Sequence, residues 1–160
     1  MERKFEIDPP FKEQYFSFML EYLNLGHMEL VPLEQVNVAP EKRFYLPHRA
    51  VLKSTSTTTK LRVVFDGSCK TSTGISLNER LQVGPNLNED LFVVMTRFRS
   101  YAVAFTADAE KMYRQVRMDK KDTDFQRIVW RTNPNKPVQH YRLSTVTYGT
   151  NCAAYLAMES

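Results

Sequence analysis

Residues 105–116 read Phe-Thr-Ala-Asp-Ala-Glu-Lys-Met-Tyr-Arg-Gln-Val. Alternating apolar side chains from Val103 predict a strand that ends at Asp108, and Tyr113 follows five residues later. Hard divalent cations take oxygen ligands, and nucleotidyl-transfer sites hold two of them roughly 3.5–4 Å apart. The Asp108 carboxylate and the backbone carbonyl of Ala109 are therefore candidate metal ligands, with Asp108 as the candidate catalytic residue. Taken alone, an Asp at the end of an element is more often a cap or turn residue.

A helix is predicted immediately before this strand. Asn88 is placed to cap it, and Arg97 and Arg99 near its last turn complement the helix dipole. Its apolar residues recur at helical spacing, which predicts a stripe that packs in the core. Helix, strand and carboxylate thus follow one another directly in the sequence.

Other elements have clear local signals. Asp8 and the prolines after it predict the start of a helix that Gly26 ends. Alternation in residues 61–65 predicts one strand of a two-stranded ribbon near 44–65. The spacing of Ser76 and Glu79 predicts a capping box that opens a short helix. Residues 125–131 and 138–143 predict a hairpin around the Pro- and Asn-rich turn at 132–137.

Several segments together resemble the reverse transcriptase of long-terminal-repeat retrotransposons, and within these the Bel/Pao class. Besides the opening stretch, they are 25–29 (LGHME), 45–51 (YLPHRAV), 58–68 (TTKLRVVFDGS), 76–79 (SLNE), 83–86 (VGPN), 125–130 (FQRIVW) and 146–150 (VTYGT). Each segment is a weak match by itself, but their order and spacing are specific for the family. The resemblance covers nearly the whole chain.

The resemblance assigns roles to individual residues. It implies that Arg62 grips the triphosphate of a deoxynucleoside triphosphate, with Lys60 as a second candidate, although an exposed cross-strand charge also explains Lys60. Tyr113 matches the aromatic that lies against the sugar, and Gly149 matches the glycine of a nucleotide-contacting loop. Lys53 and Gln115 are candidates for contact with the RNA or DNA template-primer.

The same resemblance implies a cofactor of two Mg²⁺ (or Mn²⁺) ions in the complete enzyme. Reverse transcriptases carry a second acidic motif, Tyr-x-Asp-Asp, but here Glu159 is the only acid after Asp124. Ala154 also stands where the family has proline. We therefore expect the fingers and the first part of the palm, with the rest of the palm, the thumb and the ribonuclease H region missing.

Charge and composition agree with a nucleic-acid partner. Residues 1–40 carry a net charge of −4 and residues 41–160 a net charge of +8, and Asp66 is the one acid among seven basic residues at positions 42–70. Such a basic stretch attracts phosphates, although a solvated basic surface is an equally good explanation from charge alone. Two widely separated cysteines, and no apolar run long enough for a signal peptide or membrane span, predict a cytoplasmic or nuclear protein without membrane contact.

The expected fold class is α+β, a truncated polymerase right-hand fold with a mainly antiparallel sheet. Residues 1–40 form an N-terminal helical and connector segment, and residues 41–160 form the reverse transcriptase fingers and partial palm, truncated before the second acidic motif. The expected function is that of a fragment of an RNA-directed DNA polymerase from a retrotransposon polyprotein, inactive alone. The alternative is a non-catalytic basic module that binds nucleic acid or another partner and retains the fold. A reading frame with no selected role is the third possibility.

Overall fold

The computed structural model describes residues 2–52 and 61–160. Six α-helices are assigned in these residues. They are α1 (Glu2–Ile7), α2 (Pro9–Asn24), α3 (Leu33–Val36), α4 (Leu91–Ser100), α5 (Met112–Gln115) and α6 (Ala153–Glu159). Two single 3₁₀ turns, Pro40–Lys42 and Thr123–Gln126, lie between them.

Five strands form two antiparallel sheets. The strands are β1 (Met28–Leu30), β2 (His48–Leu52), β3 (Leu61–Phe65), β4 (Arg127–Trp130) and β5 (Gln139–Leu143). The larger sheet has the order β1-β5-β4, and β2 pairs with β3 in a separate ribbon. Helices and antiparallel sheets in one chain make the fold α+β, as the sequence predicts.

The core lies where α2 packs against the ribbon and the sheet. Met19 of α2, Val63 of β3 and Ile128 and Leu143 of the sheet are completely buried. Side chains alternate between the two faces of β3, which explains what the ribbon adds to the core. Leu61, Val63 and Phe65 face inward, while Arg62 between them is exposed. The predicted ribbon and hairpin are thus confirmed.

The start and end of α2 also confirm the prediction. The Asp8 carboxylate accepts a hydrogen bond of 3.0 Å from the backbone N–H of Phe11, which satisfies one of the free donors in the first turn. Gly26, just beyond the helix, has a φ of +69°. This left-handed conformation suits glycine and ends the helix.

The predicted strand from Val103 to Asp108 is wrong. Residues 104–109 have no regular secondary structure, and the side chains of Val103 and Phe105 are 83% and 88% exposed. An extended segment becomes a strand only when a neighbouring strand satisfies its backbone groups. No strand within the described residues pairs with this segment.

The prediction that the α4 stripe lies in the core is also wrong. None of the residues of α4 is buried, and Phe92 is 78% exposed. Its N-terminal cap is Asp90 rather than Asn88, with the Asp90 carboxylate accepting a 2.7 Å bond from the Phe92 N–H. The apolar residues of α4 do recur at helical spacing, but the described chain provides no surface against which they pack.

The capping box at Ser76 and Glu79 forms without opening a helix. The Ser76 N–H donates to the Glu79 carboxylate at 2.8 Å, and the Glu79 N–H donates to the Ser76 hydroxyl at 3.3 Å. Residues 78–80 form a turn instead of a helix. The reciprocal bonds therefore stabilise a loop.

Within residues 2–52 and 61–160, no helix combines the length and apolar character needed to cross a membrane.

Candidate functional site

Arg62 lies on the outer face of the ribbon. It is opposite Val51 in the β2–β3 register, and both of its chain neighbours are buried. A strand points successive side chains to opposite faces, so burial of Leu61 and Val63 directs the guanidinium to solvent. Arg62 is therefore available to a phosphate group.

The loop that contains Tyr148 and Gly149 is held against the strand that carries Arg62. The Tyr148 hydroxyl donates a hydrogen bond to the backbone carbonyl of Val63. Its ring lies 5.8 Å from that of Phe65, centroid to centroid. Burial is the first cause that raises the pKa of the Tyr148 phenol.

The loop approaches β3 so closely at position 149 that only glycine fits there. Its φ is +99°, and a Cβ at this position would lie 2.1 Å from the Phe65 carbonyl oxygen. No other residue type fits without movement of the backbone. The glycine of the predicted nucleotide loop thus has a structural explanation of its own.

Asn78 joins this loop to the end of the ribbon. Its side-chain NH₂ donates to the Gly149 carbonyl at 3.0 Å and to the Ser68 hydroxyl at 2.8 Å, and its oxygen accepts from the Asn151 N–H at 2.9 Å. These bonds fix the loop from three directions. Sequence reasoning assigned Asn78 no role, although it lies within the SLNE segment of the resemblance.

A cationic cluster on α5 and its N-terminal cap lies against α2. Lys111 Nζ and Arg114 Nη1 both lie 2.7 Å from Glu21 Oε1. The Arg114 guanidinium also covers the Tyr22 ring at 4.0 Å from its centroid, and only 8% of its side chain is exposed. The hydrogen bond from Lys111 is the main cause that lowers the pKa of Glu21. Sequence reasoning assigned no role to Lys111 or Arg114, which both pair with Glu21 of a distant segment.

The predicted residues Tyr113 and Gln115 belong to this same short helix. Tyr113 is half-buried, whereas Gln115 is exposed and donates to the Glu110 carbonyl at 3.0 Å. Arg114 between them lies over the Tyr22 ring, and the Tyr22 ring is 5.8 Å from that of Phe65, against which Tyr148 also packs. These aromatic contacts place α5 and the Tyr148–Gly149 loop around the buried side of β3, whereas Arg62 points to the opposite face of the ribbon.

The remaining predicted site residues are placed differently. Asp108 and Ala109 are exposed in the irregular segment before α5, so Asp108 does not end a strand. Lys53 and Lys60 lie outside the described residues. Their proposed roles therefore depend on the sequence alone.

The donors near Asp108 do not make a two-ion site by themselves. The Asp108 carboxylate and the Ala109 carbonyl can offer oxygen ligands, but two divalent cations need several more. In the part of the chain that the structure describes, no group of three or more His, Cys, Asp or Glu side chains is close enough to hold a metal ion. Carboxylates from elsewhere would have to complete such a site.

Comparison with protein-family models gives no match for this chain, and comparison with curated proteins gives no significant match.

Proposed function

We propose that this chain is the fingers and N-terminal part of the palm of an RNA-directed DNA polymerase of the retrotransposon reverse transcriptase type. The observation that supports this best is the contact between the Tyr148–Gly149 loop and β3, the strand that carries the exposed Arg62. The resemblance assigns the strand and the loop to one nucleotide site, and the Tyr148 hydroxyl donates a hydrogen bond to the carbonyl of Val63, the residue after Arg62.

In this proposal Arg62 binds the triphosphate of an incoming deoxynucleotide. A guanidinium matches phosphate oxygens with two parallel hydrogen bonds and stays charged at every relevant pH. Lys60 adds a second positive charge. The ring of Tyr113 lies against the sugar, where it would clash with a 2′-hydroxyl and so favour deoxynucleotides.

The template-primer is the second partner in this proposal. Its phosphates are attracted by the basic residues of the ribbon, and Lys53 and Gln115 contact its backbone. The complete polymerase would act in the cytoplasm or nucleus and adopt the right-hand fold of its class. Asp108 and the Ala109 carbonyl would supply part of the ligand set for Mg²⁺ or Mn²⁺, which lowers the charge on the reacting phosphates when bound.

A titration of primer-template duplex at several salt concentrations tests the proposal. Affinity should fall steeply with salt, because each neutralised phosphate releases counterions. The double change Arg62→Ala with Lys60→Ala should weaken binding about tenfold and reduce the salt dependence. Arg99→Ala is the control, since Arg99 is an exposed arginine on α4. Failure to bind at low salt, or equal loss in the control, would exclude a nucleic-acid site on the ribbon.

The exposed apolar residues of α4 favour a second candidate, a non-catalytic interaction module that retains the fold. Large apolar side chains exposed next to one another usually mark a contact surface, and Leu91 and Phe92 are 73% and 78% exposed. Duplex binding unaffected by the ribbon changes, together with binding to a protein partner through α4, would favour this candidate.

A further inference from the structure

A cavity of about 550 Å³ lies between the two N-terminal helices and the β4–β5 hairpin. Its volume falls within the roughly 300–1,000 Å³ of small-molecule sites, which are mostly apolar with a few polar groups. Its apolar and aromatic walls include Phe5, Tyr15, Phe16, Val129, Trp130 and Val138. None of the residues of the nucleotide site lines it, so the cavity needs an explanation of its own.

The aromatic walls form one connected group. The Phe5 ring lies 5.1 Å from that of Tyr15 and 5.5 Å from that of Phe16, and Phe16 lies 5.7 Å from Trp130. These centroid distances fall in the range at which aromatic rings attract one another in tilted or stacked arrangements. A flat ring entering the cavity would therefore meet aromatic partners on several sides.

The hydrogen bonds of His48 keep its wall of the cavity uncharged. Its Nε2 lies 3.0 Å from the Val129 carbonyl oxygen, which can only accept, so Nε2 carries the proton. Its Nδ1 is then free to accept from the Tyr15 hydroxyl. Burial lowers the pKa of His48, which agrees with a neutral ring.

The charged residues at the cavity balance one another. Two carboxylates, Glu2 and Glu6, are matched by two cations, Lys12 and Arg131. Glu2 and Arg131 neutralise each other directly through two bonds of 2.6 and 2.8 Å, which also connect α1 to the hairpin. The cavity therefore offers no net charge to a ligand.

One wall carries a hydrogen-bond donor without a partner. The indole Nε1 of Trp130 is buried and has no acceptor among the described residues, and the residue is only 6% exposed. A buried donor of this kind normally has a partner, because desolvation without a hydrogen bond is costly. Because Nε1 is itself buried, an acceptor in the cavity reaches it only after the indole ring shifts.

From these features we propose that the cavity is a binding site for an uncharged aromatic small molecule that carries a hydrogen-bond acceptor. Stacking on the Phe5, Phe16 and Trp130 rings supplies the affinity, and the acceptor pairs with the Trp130 N–H after a small shift of that ring. None of the residues that line the cavity belongs to the candidate nucleotide site.

Trp130 is the only tryptophan in the chain, which provides a specific assay. The probe is prodan, an uncharged naphthalene with a ketone acceptor, and the signal is energy transfer from Trp130 to bound probe. We expect saturable one-to-one binding. The same naphthalene without the ketone should bind several-fold more weakly, and equal binding would overturn the role of the acceptor.

Two matched variants locate the probe. Val129→Phe fills the cavity from a residue that is 43% exposed, and Val51→Phe makes the same change on the ribbon at a residue that is 42% exposed. Prodan affinity should fall at least tenfold in Val129→Phe and stay within twofold in Val51→Phe. Val138→Phe repeats the filling from the hairpin if Val129→Phe does not fold. Wild-type affinity in a folded cavity-filling variant, or loss of binding in Phe92→Ser on α4, would overturn the proposal.

Discussion

Gly149 lies so close to Phe65 that a Cβ on it would be 2.1 Å from the Phe65 carbonyl oxygen. This approach fixes the Tyr148–Gly149 loop against the end of β3. Arg62 lies on the same strand, so this contact joins the loop to the strand of the candidate nucleotide site.

Gly149→Ala should lower the free energy of unfolding by roughly 3 kcal/mol or more, since it adds a steric clash to an unfavourable φ. Gly74→Ala is the matched control: Gly74 has a φ of +79°, but a Cβ there meets no atom within 4 Å. It should cost only about 1–2 kcal/mol of backbone strain. Urea unfolding of the two variants measures the difference, and equal losses would contradict the close contact.

Local signals account for the parts of the fold that the sequence predicted. Asp8 caps α2 by a bond to Phe11 three residues away, so both partners are visible in the sequence. Alternation in β3 likewise reports which face is buried. Such short-range patterns needed no knowledge of the tertiary structure.

The segment around Asp108 could not be predicted in the same way, because a strand depends on a partner. The pattern from Val103 to Asp108 suits a strand, yet no strand in the described chain pairs with it. The stripe on α4 depends on a packing surface for the same reason. Asn78 was missed because its bonds to Gly149 and Asn151 span more than seventy residues.

Stability should decrease as the pH falls below about 6.5. Burial is the first cause that lowers the pKa values of His27, His48 and His140 in the folded chain. The unfolded chain then binds more protons, so this stability is present above the unfolded pKa of about 6.5 and is lost as the pH falls towards the folded values. Each histidine can contribute a slope of up to about 1.4 kcal/mol per pH unit.

Urea unfolding at pH 7.5 and at pH 5.5 measures this effect. His48→Gln should reduce the difference between the two pH values, because it removes one titrating ring, but His27 and His140 should leave part of it. A pH dependence unchanged in His48→Gln would contradict a neutral buried His48.

The exposed face of α4 should cause self-association. Phe92→Ser should shift the chain towards the monomer, since burial of apolar surface drives association at about 25 cal/mol per Å². Leu33→Ser is the control, because Leu33 of α3 is 87% exposed but lies outside this face. Sedimentation velocity across a concentration series gives the result, and an equal effect of the control would indicate non-specific association.

The 160-residue chain alone should not incorporate deoxynucleotides on a primer-template with Mg²⁺ or Mn²⁺. Asp108 and the Ala109 carbonyl offer too few ligands for two cations, which need carboxylates from a second acidic motif.

A fusion to a reverse transcriptase palm segment that carries Tyr-x-Asp-Asp should restore primer extension, provided that the loop tolerates Ala154. Asp108→Asn should then reduce the rate by roughly a thousandfold, about 4 kcal/mol of transition-state stabilisation. Asp119→Asn is the control, because Asp119 is exposed and paired with Lys121 at 3.2 Å. Extension by the unfused chain that disappears in Asp108→Asn would show that the site needs fewer carboxylates than proposed, and a fusion indifferent to Asp108→Asn would remove Asp108 from the catalytic site.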